Sequence, residues 1–138
     1  MSANLRDRID GLWSDRHESA TVVDQALVDA ISMLDDGSAR VAEIVDGQVV
    51  VHEWLRRAIL LYLVCAPTVA TQHGAFEIAD KVPLKTGLAD AGARALPGSI
   101  VRWGAHIERG AILMPSFVNI GARVGSGTMI DTWPSAPP

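Results

Sequence analysis

The chain has 138 residues, of which 49% are hydrophobic and 20% are charged, and its formal net charge at pH 7 is −4. This composition can form a buried core, and the negative charge argues against electrostatic binding to nucleic acid or to an anionic membrane. The single cysteine, Cys65, excludes an internal disulfide and a thiolate metal cluster. The longest apolar run, residues 58–66, is far shorter than the roughly 20 residues that cross a bilayer, and the N-terminus lacks a signal-peptide pattern. The sequence therefore predicts a soluble, cytoplasmic protein.

Two helices are predicted in the N-terminal region. The first has an apolar stripe at helical spacing, formed by Leu5, Ile9, Leu12 and Trp13. The second is expected to begin at Thr21. The Thr21 hydroxyl is expected to accept a hydrogen bond from a free backbone amide three residues on, and the Asp24 side chain to accept one from the Thr21 amide. Its predicted buried stripe consists of Val23, Leu27, Ala30, Ile31 and Leu34. Gly37 is expected to end this helix, because glycine readily adopts the left-handed conformation.

A hairpin and a third helix are predicted next. Asp46-Gly47 is a turn dipeptide between apolar segments, which indicates a β-hairpin. The third helix begins near His52, has apolar residues at helical spacing and is ended by Pro67. Its predicted buried residues are Leu55, Ala58, Ile59 and Tyr62. Residues 68–98 show little periodicity and are interpreted as loop, with at most one short strand or helix.

A six-residue period begins at Ile100. The residues at this step are Ile100, His106, Ile112, Val118, Val124 and Ile130. The residue four positions further on is small each time, at Gly104, Gly110, Ser116, Ala122 and Thr128. A left-handed parallel β-helix has this period, because each flat side of its triangular coil is one hexapeptide. The aliphatic residues are predicted to point inward and the small residues to lie at the corners. The alternative is a β-sandwich whose short strands share this spacing by accident.

Several segments resemble the tetrahydrodipicolinate N-succinyltransferase family of hexapeptide-repeat transferases. They are LMPSFVNIGARVGSGTMIDTW at 113–133, RVAEIVDGQVVVHEWLRRAILL at 40–61, DKVPLK at 80–85, and the spacing of Arg94, Pro97 and Arg102. The resemblance implies an α+β fold. A helical N-terminal α/β domain with a hairpin is expected at 1–98, and the first two coils of a left-handed parallel β-helix at 99–133. The full-length family is a homotrimer.

The resemblance also implies an activity and two site residues. The family transfers succinyl from succinyl-CoA, a cosubstrate and not a bound cofactor, to the ring-opened tetrahydropyridine dicarboxylate in lysine and diaminopimelate biosynthesis. Arg94 matches an arginine that binds a substrate carboxylate, which suits its planar guanidinium. Asp131 matches an aspartate at the acceptor end, where it can hold the amine or help remove its proton, and it is the one catalytic candidate. Judged from the residues alone, Arg94 is a solvated charge and Asp131 a corner cap or turn residue.

Other chemistry-bearing residues have simpler interpretations. His106 is expected at an inward position as a buried, hydrogen-bonded imidazole. A γ-class carbonic anhydrase needs three metal-binding histidines, and no metal site is predicted here. The other histidines lie outside the repeat, at positions His17, His52 and His73. Cys65 is expected to have a packing role, and Arg56 and Arg57 to form a solvated helix face.

The match to the family ends at Trp133. Residues 134–138 (PSAPP) replace the family's further hexapeptides, and proline lacks the amide donor that a strand ladder uses. This Pro-rich tail is therefore expected not to extend the coil. We predict a C-terminally truncated member that lacks the coenzyme A groove and the catalytic glutamate region and is inactive alone. The alternatives are a non-catalytic remnant or interaction module, and another hexapeptide-repeat acyltransferase.

Overall fold

The computed structural model describes residues 2–16 and 22–137. Within these residues the chain is an α+β protein, in which helices and antiparallel hairpins are followed by short parallel strands. The helices are α1 (Ser2–Ser14), α2 (Gln25–Asp36) and α3 (Glu53–Cys65). The hairpins are β1 (Ala42–Val45) with β2 (Gln48–Val51), and β3 (Val69–His73) with β4 (Phe76–Asp80). None of the described helices is both long and apolar enough to cross a membrane.

The three helices pack together through the apolar stripes that their spacing predicts. The fully buried side chains of this core include Ile9, Leu27, Ile31 and Leu55. Each large aliphatic side chain buried in this way contributes about 2 kcal/mol. Tyr62, predicted as buried, is only half-buried, and its ring contacts Trp103 edge-on at 5.6 Å between centroids. Val23, predicted in the α2 stripe, instead precedes the helix.

Asp24 is the N-terminal cap of α2. Thr21 lies outside the described residues, so its predicted capping role is left without a structural account. The Asp24 Oδ1 atom accepts the Ala26 amide at 2.9 Å, and Arg8 donates to Oδ2 at 2.7 Å. Both bonds favour the charged carboxylate and hold the pKa of Asp24 below its usual range. The bond from the Ala26 amide has the larger effect. Gly37 ends α2 in the left-handed conformation, as predicted.

Replacing the cap by Asp24→Ala is expected to destabilise the protein by about 1 kcal/mol at pH 7. The lowered pKa of Asp24 means that its stabilisation is present above the unfolded-state pKa and is lost as the pH falls below about 4. The difference in unfolding free energy between wild type and Asp24→Ala should therefore shrink in acid. Urea unfolding at several pH values measures it. Asp24→Asn is the control, because asparagine caps a helix without titrating; an equal acid dependence in that variant would contradict the assignment.

The two hairpins differ in how well the sequence predicts them. The β1–β2 hairpin is confirmed, and its two turn residues, Asp46 and Gly47, have positive φ angles of 51° and 77°, as a two-residue hairpin turn requires. The β3–β4 hairpin corrects the interpretation of residues 68–98 as loop. Its strands pair from Val69 with Asp80 to His73 with Phe76. All five β3 residues are exposed, so neither face carries the apolar alternation that would reveal a strand.

Eight strands of two residues each form the second half of the described chain. They are β5 (Arg94–Ala95), β6 (Ile100–Val101), β7 (His106–Ile107), β8 (Ile112–Leu113), β9 (Phe117–Val118), β10 (Arg123–Val124), β11 (Met129–Ile130) and β12 (Ser135–Ala136). Successive strands enter different sheets, in the orders β5-β8-β11, β6-β9-β12 and β7-β10. All pairs are parallel, and partners are 17 or 18 residues apart. We call these strands the strand stack.

The interior of the strand stack is apolar, but its register differs from the predicted one in the first half. Val101, Ile107 and Leu113 are buried where the six-residue step predicted Ile100, His106 and Ile112. From Val118 onward the predicted residues point inward. The shift occurs because the side that contains Pro115 is one residue shorter than its neighbours. The small residues buried behind the corners are accordingly Ala105, Ala111, Ser116 and Ala122.

Strand pairing extends past both predicted limits. It begins with β5, before the expected boundary at residue 99, and it includes β12 in the Pro-rich tail. The Phe117 amide donates to the Pro134 carbonyl and the Asn119 amide to the Ala136 carbonyl, both at 3.1 Å. Proline keeps its carbonyl acceptor, so a proline at 134 can contribute to a ladder although it has no amide to donate.

Basic side chains from the second half of the chain bind the C-terminal end of α2. The Lys85 ammonium donates to the Asp35 carbonyl at 3.1 Å and lies 2.7 Å from its Oδ1 atom. His106 Nδ1 lies 3.1 Å from the same carbonyl, and Arg123 donates to the Gly37 carbonyl at 3.2 Å. These contacts satisfy carbonyl groups that the helix leaves free. His106 is therefore hydrogen-bonded, as predicted, but it points away from the interior of the stack.

Candidate functional site

Arg94 and Asp131 lie on one sheet of the strand stack. Arg94 is in β5 and pairs with Ile112, which pairs with Met129 two residues before Asp131. Leu113, the neighbour of Ile112, points into the buried interior, so Arg94, Ile112 and Met129 point outward. We call this outward surface the 94–131 face. It is defined by Arg94, Leu96, Ile112, Met114, Met129 and Asp131.

Arg94 is available for an external partner, unlike Arg102 and Arg123 of the stack. Arg102 makes a bidentate contact with Asp80, both distances being 3.0 Å. Arg123 donates from Nε and Nη2 to a single oxygen of Glu108, Oε1, at 2.9 and 2.6 Å. Arg94 is exposed, and its guanidinium has no ion-pair or hydrogen-bond partner within the described part of the chain. A free guanidinium can bind a carboxylate through two parallel hydrogen bonds.

The Asp131 carboxylate directly follows β11 and is exposed. Its Oδ1 atom accepts the amide of Thr132 at 2.7 Å, which fixes the side chain at the corner of the coil. This contact matches the corner-capping role that the residue alone suggests. The same contact leaves the second carboxylate oxygen directed away from the backbone amide. Asp131 can therefore cap the corner and still accept a hydrogen bond from a ligand amine.

The two candidate residues are not in contact, and the surface between them is apolar. They are two strands apart, about 10 Å, and two residues apart along the strand direction, about 7 Å. Ile112 and Met114 lie between them, and Met129 is 61% exposed. A ligand that contacts both residues would have to extend across this apolar surface, with an acidic group suited to Arg94 and a hydrogen-bond donor suited to Asp131.

Two further titratable residues, Glu108 and Cys65, have pKa shifts with local causes. Glu108 accepts bonds from Arg123 and the Ser126 amide, and these bonds keep the pKa of Glu108 below its usual range. Burial raises the pKa of the Cys65 thiol, in agreement with the predicted packing role. Within the described residues, no group of three His, Cys, Asp or Glu side chains is placed to hold a metal ion.

Comparisons with known proteins match both halves of the chain. Residues 4–64 match the family model described as tetrahydrodipicolinate N-succinyltransferase N-terminal. The 2,3,4,5-tetrahydropyridine-2,6-dicarboxylate N-succinyltransferase of Caulobacter vibrioides is 44% identical over 95% of the chain and 53% of its own length. The enzymes of the same name from Methylorubrum populi and Sodalis glossinidius are each 43% identical, over 95% and 78% of the chain and 51% and 42% of their own lengths. The chain thus spans about half the length of the curated relatives it matches.

The described chain is an α+β protein in which a helical N-terminal region is followed by three parallel sheets of two-residue strands. The chain is thus similar to the tetrahydrodipicolinate N-succinyltransferases, over the N-terminal family model and over about half the length of the curated enzymes.

Proposed function

We propose that this chain carries the acceptor-binding surface of a succinyltransferase that acts on tetrahydropyridine dicarboxylate. In this proposal the strand stack is the beginning of a left-handed parallel β-helix that follows an N-terminal α/β domain of residues 1–98. Parallel pairing at 17 or 18 residues and a common apolar interior support this architecture. The free Arg94 guanidinium on the same face as Asp131 is the observation that carries the functional proposal.

The proposed roles of Arg94 and Asp131 follow from their chemistry. The ring-opened acceptor is a dicarboxylate with one amino group, so its carboxylate binds the Arg94 guanidinium. Asp131 holds the amine and helps remove the proton that would otherwise block attack. The amine nitrogen then attacks the thioester carbonyl carbon of succinyl-CoA. A C–N bond forms, the C–S bond breaks, and coenzyme A leaves as a thiol that carries the second proton.

The proposal assigns the donor side of the reaction to structure outside these 138 residues. The relatives are about twice as long as the chain. We propose that the acyl donor, succinyl-CoA, binds to that further portion in a homotrimer. The isolated 138 residues are accordingly expected to release no thiol from succinyl-CoA in the presence of acceptor.

Binding of an acceptor analogue tests the proposal directly. Arg94→Ala is expected to weaken binding of 2-aminopimelate, an α-amino dicarboxylate, at least about tenfold, because a charge-assisted bidentate contact is lost. Arg94→Lys should bind with intermediate affinity, since lysine keeps the charge without the planar fork. Titration calorimetry on the 138-residue chain measures both.

Arg109→Ala is the matched control for this experiment. Arg109 is also an exposed arginine of the strand stack, but it lies outside the 94–131 face. Wild-type affinity in this variant, together with the loss in Arg94→Ala, supports a specific site. Equal losses in the two variants would indicate a non-specific charge effect, and an unchanged affinity in Arg94→Ala would contradict the role of Arg94.

A further inference from the structure

Trp133 occupies a backbone position that glycine occupies at other corners of the strand stack. Positive φ angles between 68° and 91° are found at Gly98, Gly104, Gly110, Gly121 and Gly127. Trp133 continues this series at the corner between β11 and β12, with a φ of 68°. A left-handed conformation costs free energy for any residue with a Cβ atom, and a bulky residue rarely adopts it.

The packing of the chain does not offset this cost. The Trp133 side chain is 82% exposed, the largest exposed fraction among the large hydrophobic residues of the described chain. The backbone is held in place, because the Trp133 amide donates to the Pro115 carbonyl at 2.6 Å. The structure therefore holds an indole at a strained corner without burying it. Strain of this kind is typical of functional sites.

The position of Trp133 relates it to the 94–131 face. It is two residues after Asp131, at the corner that borders this face, and the exposed Met129 lies on the same segment. An indole there adds a rigid apolar surface next to the carboxylate that is proposed to hold the amine. Aromatic rings bury a large area at a low cost in conformational entropy, because only two side-chain torsions become fixed.

We propose that Trp133 is an acceptor-binding residue, whose indole covers the aliphatic chain of the α-amino dicarboxylate beside its amino group. This inference rests on the proposed function, because it names a further residue of the same site. It assigns to Trp133 a role in binding and not in stability. The corner would be more stable with glycine, and the tryptophan is present for its contact with the ligand.

The proposal predicts opposite effects of Trp133→Gly on stability and on binding. Glycine removes the cost of the positive φ angle, so the last strand should open less often. Exchange of the Phe117 and Asn119 amides, which donate to the carbonyls of residues 134 and 136, should slow about threefold. Binding of 2-aminopimelate should weaken about tenfold, because the indole contact is lost.

Two matched variants separate the indole from the backbone effect. Trp133→Ala keeps the positive φ angle and removes the indole, so it should lose affinity without slower exchange. Gly127→Ala is the control for the strain itself: its φ is also 68° and a Cβ there meets nothing within 4 Å. It should speed exchange locally and bind 2-aminopimelate as wild type does.

The indole Nε1–H signals in a ¹⁵N–¹H titration with 2-aminopimelate distinguish this inference from the proposed function. Shifts of the Asp131 and Trp133 amides together with the Trp133 indole support both. Shifts of the Arg94 and Asp131 signals with an unmoved Trp133 indole retain the proposed function and overturn the inference. An absence of shifts at all three residues overturns both. The inference would also be overturned if wild type self-associates with concentration and Trp133→Gly does not, and if amide exchange is faster in the variant. That result would indicate that the indole contacts a second copy of the chain.

Discussion

Gly104→Ala is expected to destabilise the protein by about 3 kcal/mol, from backbone strain and a steric clash together. Gly104 has a φ of 85°, and a Cβ there would lie 2.7 Å from Ile31 Cγ2 and 2.8 Å from Ile120 Cγ1. Both isoleucines are fully buried between α2 and the strand stack, so neither can move without disturbing the core. Urea unfolding followed by circular dichroism measures the change.

Gly127→Ala provides the comparison for Gly104→Ala. It introduces the same methyl group at a corner with positive φ but in open space, so only the strain is expected, about 1 kcal/mol. The difference between the two variants measures how tightly the helical region and the stack are packed. Equal destabilisation in the two variants would show that the contact of Gly104 with Ile31 and Ile120 is not close.

Lys85→Met is expected to destabilise the protein by about 3 kcal/mol, because it leaves the Asp35 carboxylate without its counter-charge. The Lys85 side chain is only 10% exposed, and its ammonium lies 2.7 Å from Asp35 Oδ1. The same Oδ1 atom accepts the Gly104 amide at 2.8 Å, so the pair connects α2 to the strand stack. Unfolding in urea at pH 7 measures the loss.

A double-mutant cycle isolates the Lys85–Asp35 contact. Lys85→Met with Asp35→Asn should be less destabilised than the sum of the single variants, because neither charge is then left unpaired. Arg56→Met is the control, since the Arg56–Glu53 pair is 61% and 52% exposed and should contribute less than about 0.5 kcal/mol. Additive single effects at Lys85 and Asp35 would contradict a coupled pair.

The elements that the sequence predicts correctly have strong local signals. Helical spacing locates α1 and α3, and Asp46-Gly47 locates the first hairpin, because a two-residue turn needs positive φ angles. The β3–β4 hairpin has no such signal, since all five residues of β3 are exposed and no residue of β4 is fully buried. The shift of register in the stack could not be predicted either. Ile112 and Leu113 are both aliphatic, and only the short side at Pro115 decides which of them is buried.

The candidate site was predictable in part. Arg94 and Asp131 were found through the family resemblance, and the parallel pairing of β5, β8 and β11 places both on one sheet. The Lys85–Asp35 contact joins residues far apart in sequence, so no local pattern indicates it. Trp133 did have a signal that was missed. It follows corner glycines that are six residues apart except across Pro115, where Gly110 and Gly121 are eleven apart, and a tryptophan in such a series is anomalous.

The most direct test of the account is a crystal structure of the chain with 2-aminopimelate. We expect a left-handed coil of parallel strands, with the ligand extended across Ile112 and Met114, its carboxylate on Arg94 and its amine on Asp131. An antiparallel arrangement of residues 94–136, or a ligand bound away from the 94–131 face, would contradict it.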